Sequence, residues 1–260
     1  MCTASWILDD SGYRLFFNRD EKLTRKRAMP PGFAARDGVR FLAPADGDFG
    51  GTWIATNEFG VSVCLLNGAN LTGSSDAERV ATRSRGLLIP ELISAPSVAV
   101  ICERARAADF APFAPFTLAA LGPGQPAALV EWDGSRKRLC FQDADCFMIT
   151  SSSFDTEAVR ASRQGEFRGL VESRQKVDDG LLAGFHRSHV PARSAYSTCM
   201  HRPDAETVSF SWISVSERDT DYFYSPAAPC VGIPGVRLKL PCRGRLKRFL
   251  RNSEASAFPR

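Results

Sequence analysis

The chain has 260 residues, a net charge of +4, a hydrophobic content of 44% and a charged content of 24%. These values are typical of an ordinary globular protein, and we expect no nucleic-acid partner. No apolar run approaches the roughly 20 residues that a membrane-spanning helix needs. The N-terminus also lacks the basic and apolar regions of a secretory signal. The sequence therefore predicts a cytoplasmic protein with no transmembrane segment.

The cysteines and histidines give little indication of a metal centre. The eight cysteines are scattered and include no Cys-x-x-Cys pair, which in a chain of this kind indicates reduced thiols rather than a disulfide framework. His186 and His189 lie near each other and could contribute to a zinc site. Because no paired cysteines stand at ligand spacing, we expect neither a metal nor another cofactor.

The first residues predict a β-hairpin. Two β-prone runs, Thr3–Leu8 and Tyr13–Asn18, are separated by the turn-forming residues Asp9-Asp10-Ser11-Gly12. In an antiparallel pair of similar lengths, the start of the first strand lies beside the end of the second. The hairpin is therefore expected to bring Cys2 close to Asn18-Arg19-Asp20, so that a cation and an anion lie near the thiol.

Cys2 is a candidate nucleophile. Initiator methionine is normally removed before a small residue, and Cys2 would then carry both a thiol and the α-amine. The amine, with a pKa of about 7.7–8.0, could take the thiol proton, and the thiolate could attack a carbonyl. The alternative is that the chain begins Met-Cys by chance and buries Cys2 as a small hydrophobic residue.

A second predicted hairpin, Thr52–Thr56 with Val61–Leu66, ends at the polar Asn67-Gly68-Ala69-Asn70. Asn67 can be a turn former or can direct its amide at an oxyanion. Residues 22–37 are expected to form a basic loop broken by two prolines. Such a loop is usually a solvated surface, but beside the site it would attract an anionic substrate.

The remaining elements alternate between strands and helices. Helices are predicted over 85–95, 97–110, 155–172 and 177–189, and strands over 39–43, 116–121, 128–132, 138–142, 147–150, 198–200, 207–216 and 222–224. This order favours an α+β fold with helices outside antiparallel sheets. We expect one domain over residues 1–242 and a basic tail over 243–260.

The motifs Met1-Cys2-Thr3, Asn18-Arg19-Asp20-Glu21, Gly50-Gly51-Thr52-Trp53 and Asn67 resemble the NRDE family, also called transport-and-Golgi-organisation protein 2. That family is related to the N-terminal-cysteine hydrolases that include penicillin V acylase, bile salt hydrolase and isopenicillin acyltransferase. The resemblance covers roughly the first 70 residues well, and the segment 199–209 resembles a late strand pair of the group. It implies a four-layer αββα N-terminal-nucleophile (Ntn) hydrolase fold.

The resemblance also implies a set of site residues. Cys2 would form a covalent acyl-enzyme, Arg19 would favour its thiolate, and Asp20 would orient its amine. Asn67 matches an oxyanion-hole position, and Arg202 is a weaker match to a late arginine of the acylases. Where the acylases carry a further asparagine in mid-chain, this sequence has Ser151-Ser152-Ser153, whose hydroxyls could donate to an oxyanion.

Three functional hypotheses follow. The first is an amidase or acylase that cleaves or transfers acyl groups of a small-molecule amide substrate. Such an enzyme could act as a monomer or as a homo-oligomer. The second is a non-catalytic trafficking or haem-handling protein on the same fold, with Cys2 and a histidine as haem ligands. The third is a Cys/His hydrolase with His186, His189 or His201 as base.

Overall fold

The computed structural model describes residues 2–68 and 81–243. Along these residues, three runs of strands are separated by two pairs of helices. In order they are β1 Cys2–Asp9, β2 Gly12–Lys22, β3 Met29–Arg36, β4 Val39–Ala45, β5 Ile54–Asn57, β6 Ser62–Asn67, α1 Leu88–Leu92, α2 Val98–Ala107, β7 Phe116–Leu121, β8 Ala127–Trp132, β9 Lys137–Gln142, β10 Cys146–Ser151, α3 Thr156–Glu172, α4 Asp179–Arg187, β11 Ala205–Val215, β12 Asp219–Ser225 and β13 Val236–Pro241.

The strands form two antiparallel sheets. One has six strands in the order β10-β1-β2-β11-β12-β13, and the other has seven in sequential order from β3 to β9. In the first sheet β1, which begins at Cys2, lies between β10 and β2. The N-terminal strand is thus an interior strand, with a hydrogen-bonded partner on each side.

Three apolar cores separate four layers. The first lies between the sheets and contains Trp6 and Phe17 of one sheet with Ile54 and Leu66 of the other. A second core joins the seven-stranded sheet to α1 and α2. A third core packs α3 and α4 on the six-stranded sheet. This αββα arrangement confirms the fold that the sequence predicted.

Both predicted hairpins at the N-terminus are confirmed. In the first, β1 and β2 pair with Cys2 opposite Arg19 and Thr3 opposite Asn18. In the second, β5 and β6 pair through Ile54 and Cys64. These pairings are local in sequence, which is why apolar alternation and turn chemistry suffice to predict them.

Three parts of the predicted secondary structure were wrong. Residues 29–36 of the predicted basic loop form the edge strand β3, with a shift of register between Met29 and Gly32. Prolines are compatible with an edge strand or a bulge, because there no ladder hydrogen bond is lost. The strand predicted at 198–200 is irregular, and β13 was not predicted.

Other expectations concern the whole chain. None of the described helices combines the length and the apolar character needed to cross a membrane. All eight cysteines are free, as expected for reduced thiols. Of the predicted tail, only Arg243 is described, and residues 244–260 lie outside the described part of the chain, as does Met1.

Candidate active site

Cys2 begins the interior strand β1 and has a paired residue on each side. Arg19 of β2 and Ser151 of β10 are its partners in the ladder. Directly opposite residues in an antiparallel ladder share one face of the sheet. The thiol, the guanidinium and the Ser151 hydroxyl therefore project from the same face, towards the seven-stranded sheet.

The Cys2 thiol lies at the edge of the core and is 7% exposed. Burial raises the pKa of the Cys2 thiol, and the negative charge of Asp20 adds to this effect. Two groups of the described chain act against this rise and lower the pKa of the thiol. They are the backbone N–H of Asp20, which hydrogen-bonds the sulfur, and the cation of Arg19. The net effect is a raised pKa, which the Asp20 N–H and Arg19 offset only in part, so the thiol needs a base to remove its proton.

Arg19 is held by a carboxylate and an aromatic ring. Its Nη2 lies 2.6 Å from Asp46 Oδ2, and its guanidinium lies 4.3 Å from the centre of the Trp53 ring. Although burial raises the pKa of Asp46, the backbone N–H groups of Phe49 and Asp48 and two arginines hold that pKa below its usual range. Asp46 therefore stays ionised and fixes the arginine beside Cys2.

Asp20 faces the opposite side of the sheet from Cys2, since side chains alternate along a strand. Its carboxylate receives Arg163 Nη1 at 3.2 Å and Thr207 Oγ1 at 2.7 Å. Both Asp20 and Arg163 side chains are fully buried. Thr207 lies opposite Asp20 at a β-bulge between β11 and β2, and a bulge of this kind re-aims side chains.

Arg163 of α3 links three further groups. Its Nη1 also donates to Thr3 Oγ1 at 2.8 Å and Thr150 Oγ1 at 3.1 Å, and its Nη2 donates to Ala195 O at 3.1 Å. These contacts tie the helix layer to β1 and β10 directly behind Cys2. Arg163 was not predicted as a site residue. A signal existed, because Arg163 lies four residues from both Val159 and Phe167 on the apolar face of α3.

A cavity of about 630 Å³ opens above Cys2; we call it the site cavity. Four predicted site residues line it, namely Cys2, Arg19, Asp20 and Asn67. Asn67 ends β6 and is exposed. It also lines a second cavity of about 550 Å³, which contains Ser151. The two cavities meet at Asn67, so that the amide lies between them.

Ser151 differs from its neighbour Ser152. The Oγ of Ser151 is buried and has no hydrogen-bond partner among the described residues. The Oγ of Ser152 instead donates to Phe154 O at 2.6 Å. Of the predicted serines, Ser151 is therefore the one that is paired with Cys2 and has a hydroxyl available for a ligand.

The charge of the site cavity is predominantly positive. The residues that line it include five with cationic side chains and the acidic Glu21 and Asp46, while the Asp20 carboxylate faces the other side of the sheet; the cations are Arg19, Lys22, Arg25, Arg83 and Arg85. Burial lowers the pKa of Arg85, while the neighbouring Cys2 and Glu21 raise it. Arg85 was missed as a site residue, since the sequence pattern there indicated only the start of a helix.

A contact between two glycines places Arg85 at the cavity. Thr52 N donates to Gly86 O at 3.0 Å, and a Cβ atom added to Gly51 would lie 2.8 Å from the Gly86 carbonyl carbon. A side chain at Gly51 would therefore push the two backbones apart. The Gly50-Gly51-Thr52-Trp53 motif thus supplies both this close approach and the ring that contacts Arg19.

Arg202 and the histidines lie elsewhere. Arg202 is bound to Asp204 at 2.7 Å and lies over the Phe154 ring, and it does not line the site cavity. None of the described residues that line this cavity is a histidine, and the haem and Cys/His hypotheses stay predictions. The role predicted for Arg202 stays a prediction.

His186 is a buried structural residue. Its Nε2 lies 2.8 Å from Ser5 Oγ, and its ring contacts Phe16, Phe185 and Phe210. Burial, with a smaller effect of Arg163, lowers the pKa of His186 to about 3. The ring is therefore neutral at physiological pH and stabilises the contact between α4 and the six-stranded sheet.

This shift predicts acid sensitivity. Between pH 6.5 and about 3 the unfolded chain binds a proton at His186 that the folded chain does not, so the stability falls as the pH falls. From pH 7 to pH 5 we expect wild type to lose about 2 kcal/mol more than His186→Gln. Urea unfolding at both pH values measures the difference. Equal pH dependence in the two proteins would contradict the assignment.

Comparisons with known proteins identify the family and the fold. The model of the family described as Transport and Golgi organisation 2 matches residues 1–185. No curated protein sequence matches the chain. Among solved structures, the Caenorhabditis elegans ortholog of N-acylethanolamine-hydrolyzing acid amidase has a TM-score of 0.58 and 12% identity, with 82% of this chain and 92% of that one covered.

Two bacterial structures are similar as well. A mutant conjugated bile acid hydrolase from Clostridium perfringens gives a TM-score of 0.58 at 12% identity, covering 93% of this chain and 92% of its own. The penicillin V acylase from Agrobacterium tumefaciens gives 0.51 at 12% identity, covering 92% and 85%. At this identity the similarity establishes the fold, which is that of the Ntn hydrolases.

Proposed function

We propose that this chain, which belongs to the Transport and Golgi organisation 2 family, is an N-terminal cysteine amidase or acylase. It would cleave or transfer acyl groups at non-peptide C–N amide bonds. The observation that carries the proposal is the position of Cys2 on an interior strand, at the cavity and beside Arg19 and the Asp20 N–H. Solved proteins that share the fold are an amidase, a hydrolase and an acylase.

In the first step Cys2 would be activated by its own amine. After Met1 is removed, the α-amine takes the thiol proton, and the sulfur forms a bond to the substrate carbonyl carbon as the π electrons move to oxygen. The Asp20 N–H and the Arg19 cation would stabilise the thiolate. Asp20, held by Arg163 and Thr207, would orient the ammonium group.

In this proposal two side chains would donate to the oxyanion. The Asn67 amide and the Ser151 hydroxyl both line the second cavity, and Ser151 is paired with Cys2. Donors directed at developing negative charge are worth roughly 3–4 kcal/mol each in an enclosed site. In this proposal Ser151 takes the place of the mid-chain asparagine of the acylases.

The oxyanion would then collapse and break the C–N bond. The α-ammonium returns its proton to the leaving amine, and a thioester remains on Cys2. Attack by water gives hydrolysis, and attack by another amine gives acyl transfer; in either case the amine of Cys2 serves again as base. The five cations of the site cavity favour an anionic substrate, and its volume suits a small molecule.

Trapping of the acyl-enzyme tests this proposal. The full chain would be incubated with penicillin V, a conjugated bile acid and an N-acylethanolamine, quenched in acid, and measured by intact mass and peptide mapping. We expect a mature protein that lacks Met1 and carries a thioester on Cys2. The control variant Cys140→Ser, altered in strand β9, should give the same adduct. A mature chain that keeps Met1, or an adduct on another cysteine, would overturn the proposal.

A further inference from the structure

Four metal-ligating side chains meet outside the candidate active site. His189, Cys199 and His201 belong to the connection between α4 and β11, residues 188–204, and Cys230 belongs to the connection between β12 and β13. One ligand atom from each lies within 4.8 Å of all the others. Two sulfurs and two imidazole nitrogens form the donor set of structural zinc sites.

The distances fit tetrahedral coordination. His201 Nε2 lies 3.6 Å from Cys199 Sγ and 3.4 Å from Cys230 Sγ. A tetrahedral Zn²⁺ with Zn–S of about 2.3 Å and Zn–N of about 2.0–2.1 Å separates its sulfur and nitrogen ligands by about 3.5 Å. The remaining pairs, at up to 4.8 Å, would need to close by at most about 1.5 Å.

One of the two histidines has a ligand atom that lacks a partner in the described part of the chain. His189 Nε2 is buried and has no hydrogen-bond partner among the described residues. The Nδ1 of His201 lies 3.3 Å from Arg193 Nη2, which can only donate to it, and 3.8 Å from Glu206 Oε2. When Nε2 binds a metal, the ring proton moves to Nδ1, so Arg193 would have to turn away and the Glu206 carboxylate to approach within hydrogen-bond distance.

The cluster lies in a long connection without regular secondary structure and links it to the rest of the fold. This connection, residues 188–204, is the longest described stretch that lacks a helix or strand. Residues 188–204 include the buried Cys199 and Met200 although they form no regular element. Loops of this length need other constraints. The same stretch supports the active site, because Met200 N donates to Thr207 Oγ1 at 2.9 Å and Thr207 binds Asp20.

We propose that His189, Cys199, His201 and Cys230 form a structural Zn²⁺ site that fixes residues 188–204 against the β12–β13 connection. Four protein ligands leave no open position, so the ion would not act on substrate. Binding replaces the two thiol protons, which are released to solvent, by the metal. The site does not depend on turnover at Cys2. No metal was expected from the sequence, because no paired cysteines stand at ligand spacing; the fourth ligand, Cys230, comes from a separate connection, and His189 is joined by His201 rather than by His186.

Metal analysis of the full, untagged chain tests the site. We expect about one zinc ion per chain in wild type and in Cys140→Ser. In Cys230→Ser and His201→Asn the zinc content per chain should fall by roughly tenfold or more. In wild type stripped with a chelator, titration with Co²⁺ should give the intense visible bands of tetrahedral coordination together with a thiolate-to-cobalt charge-transfer band in the near ultraviolet. These bands should saturate at about one equivalent.

The titration uses wild type and therefore decides the matter even where a variant fails to fold. Stripped wild type that binds Co²⁺ without thiolate bands would overturn the proposal, as would a chain that holds no zinc and takes none up. A Cys199–Cys230 disulfide found by mass in protein purified without reductant, and persisting with added zinc under reducing conditions, would also overturn it. Cys230→Ser that keeps full zinc content would exclude the four-ligand set.

Discussion

Cys2→Ala is expected to lower kcat/KM for amide cleavage by roughly 10⁴-fold or more, because removal of a covalent nucleophile leaves only binding and oxyanion stabilisation. Cys2→Ser should also be nearly inactive, since a hydroxyl loses its proton much less readily than a thiol. Cys140→Ser should retain wild-type turnover. The measurement is initial rate against substrate concentration for whichever amide forms the acyl-enzyme.

A further variant separates the N-terminal mechanism from ordinary thiol catalysis. Insertion of a leucine between Met1 and Cys2 keeps the thiol but moves the α-amine to another residue. Loss of turnover comparable with that of Cys2→Ala is expected, because the thiol then has no base. Full activity of the insertion variant would mean that another group takes the proton, and the proposed mechanism would be wrong.

Arg163→Met is expected to destabilise the protein by about 3–5 kcal/mol, because it leaves the carboxylate of Asp20 buried without its cation. The two side chains are fully buried and 3.2 Å apart. Arg163→Lys should lie between wild type and Arg163→Met, since one ammonium cannot reproduce the planar set of donors. Arg168→Met, at an exposed position of the same helix, should change the free energy of unfolding by less than about 0.5 kcal/mol.

A double-mutant cycle identifies the cause. Replacing Asp20 by Asn in the Arg163→Met background removes the unpaired charge and should recover part of the lost free energy of unfolding. Urea unfolding followed by circular dichroism measures all four proteins. If Arg163→Met were as stable as wild type, or if the two substitutions were simply additive, the buried pair would not be what holds α3 to the sheet.

The part of the fold that depends on neighbouring residues was predictable. The two N-terminal hairpins, the four main helical regions and the layered arrangement follow from apolar periodicity and turn residues. Strand β3 was missed because Pro30 and Pro31 normally indicate a loop, and only its position at a sheet edge makes them compatible with a strand. β13 was missed because it pairs only with β12 and carries four partly or fully exposed side chains at its start.

For the site, the Cys2–Arg19 neighbourhood and the polar end of β6 could be predicted from local sequence, because a hairpin fixes which residues lie opposite each other within about 20 positions. The other contacts depend on how distant parts of the chain come together. Ser151 reaches Cys2 through pairing across 149 positions of the chain, and Arg163 reaches Asp20 across 143. The cluster of His189, Cys199, His201 and Cys230 likewise depends on two connections meeting in space. Such contacts arise from the pairing of distant strands and from the packing of layers, and residue spacing along the chain does not encode which strands or faces will meet.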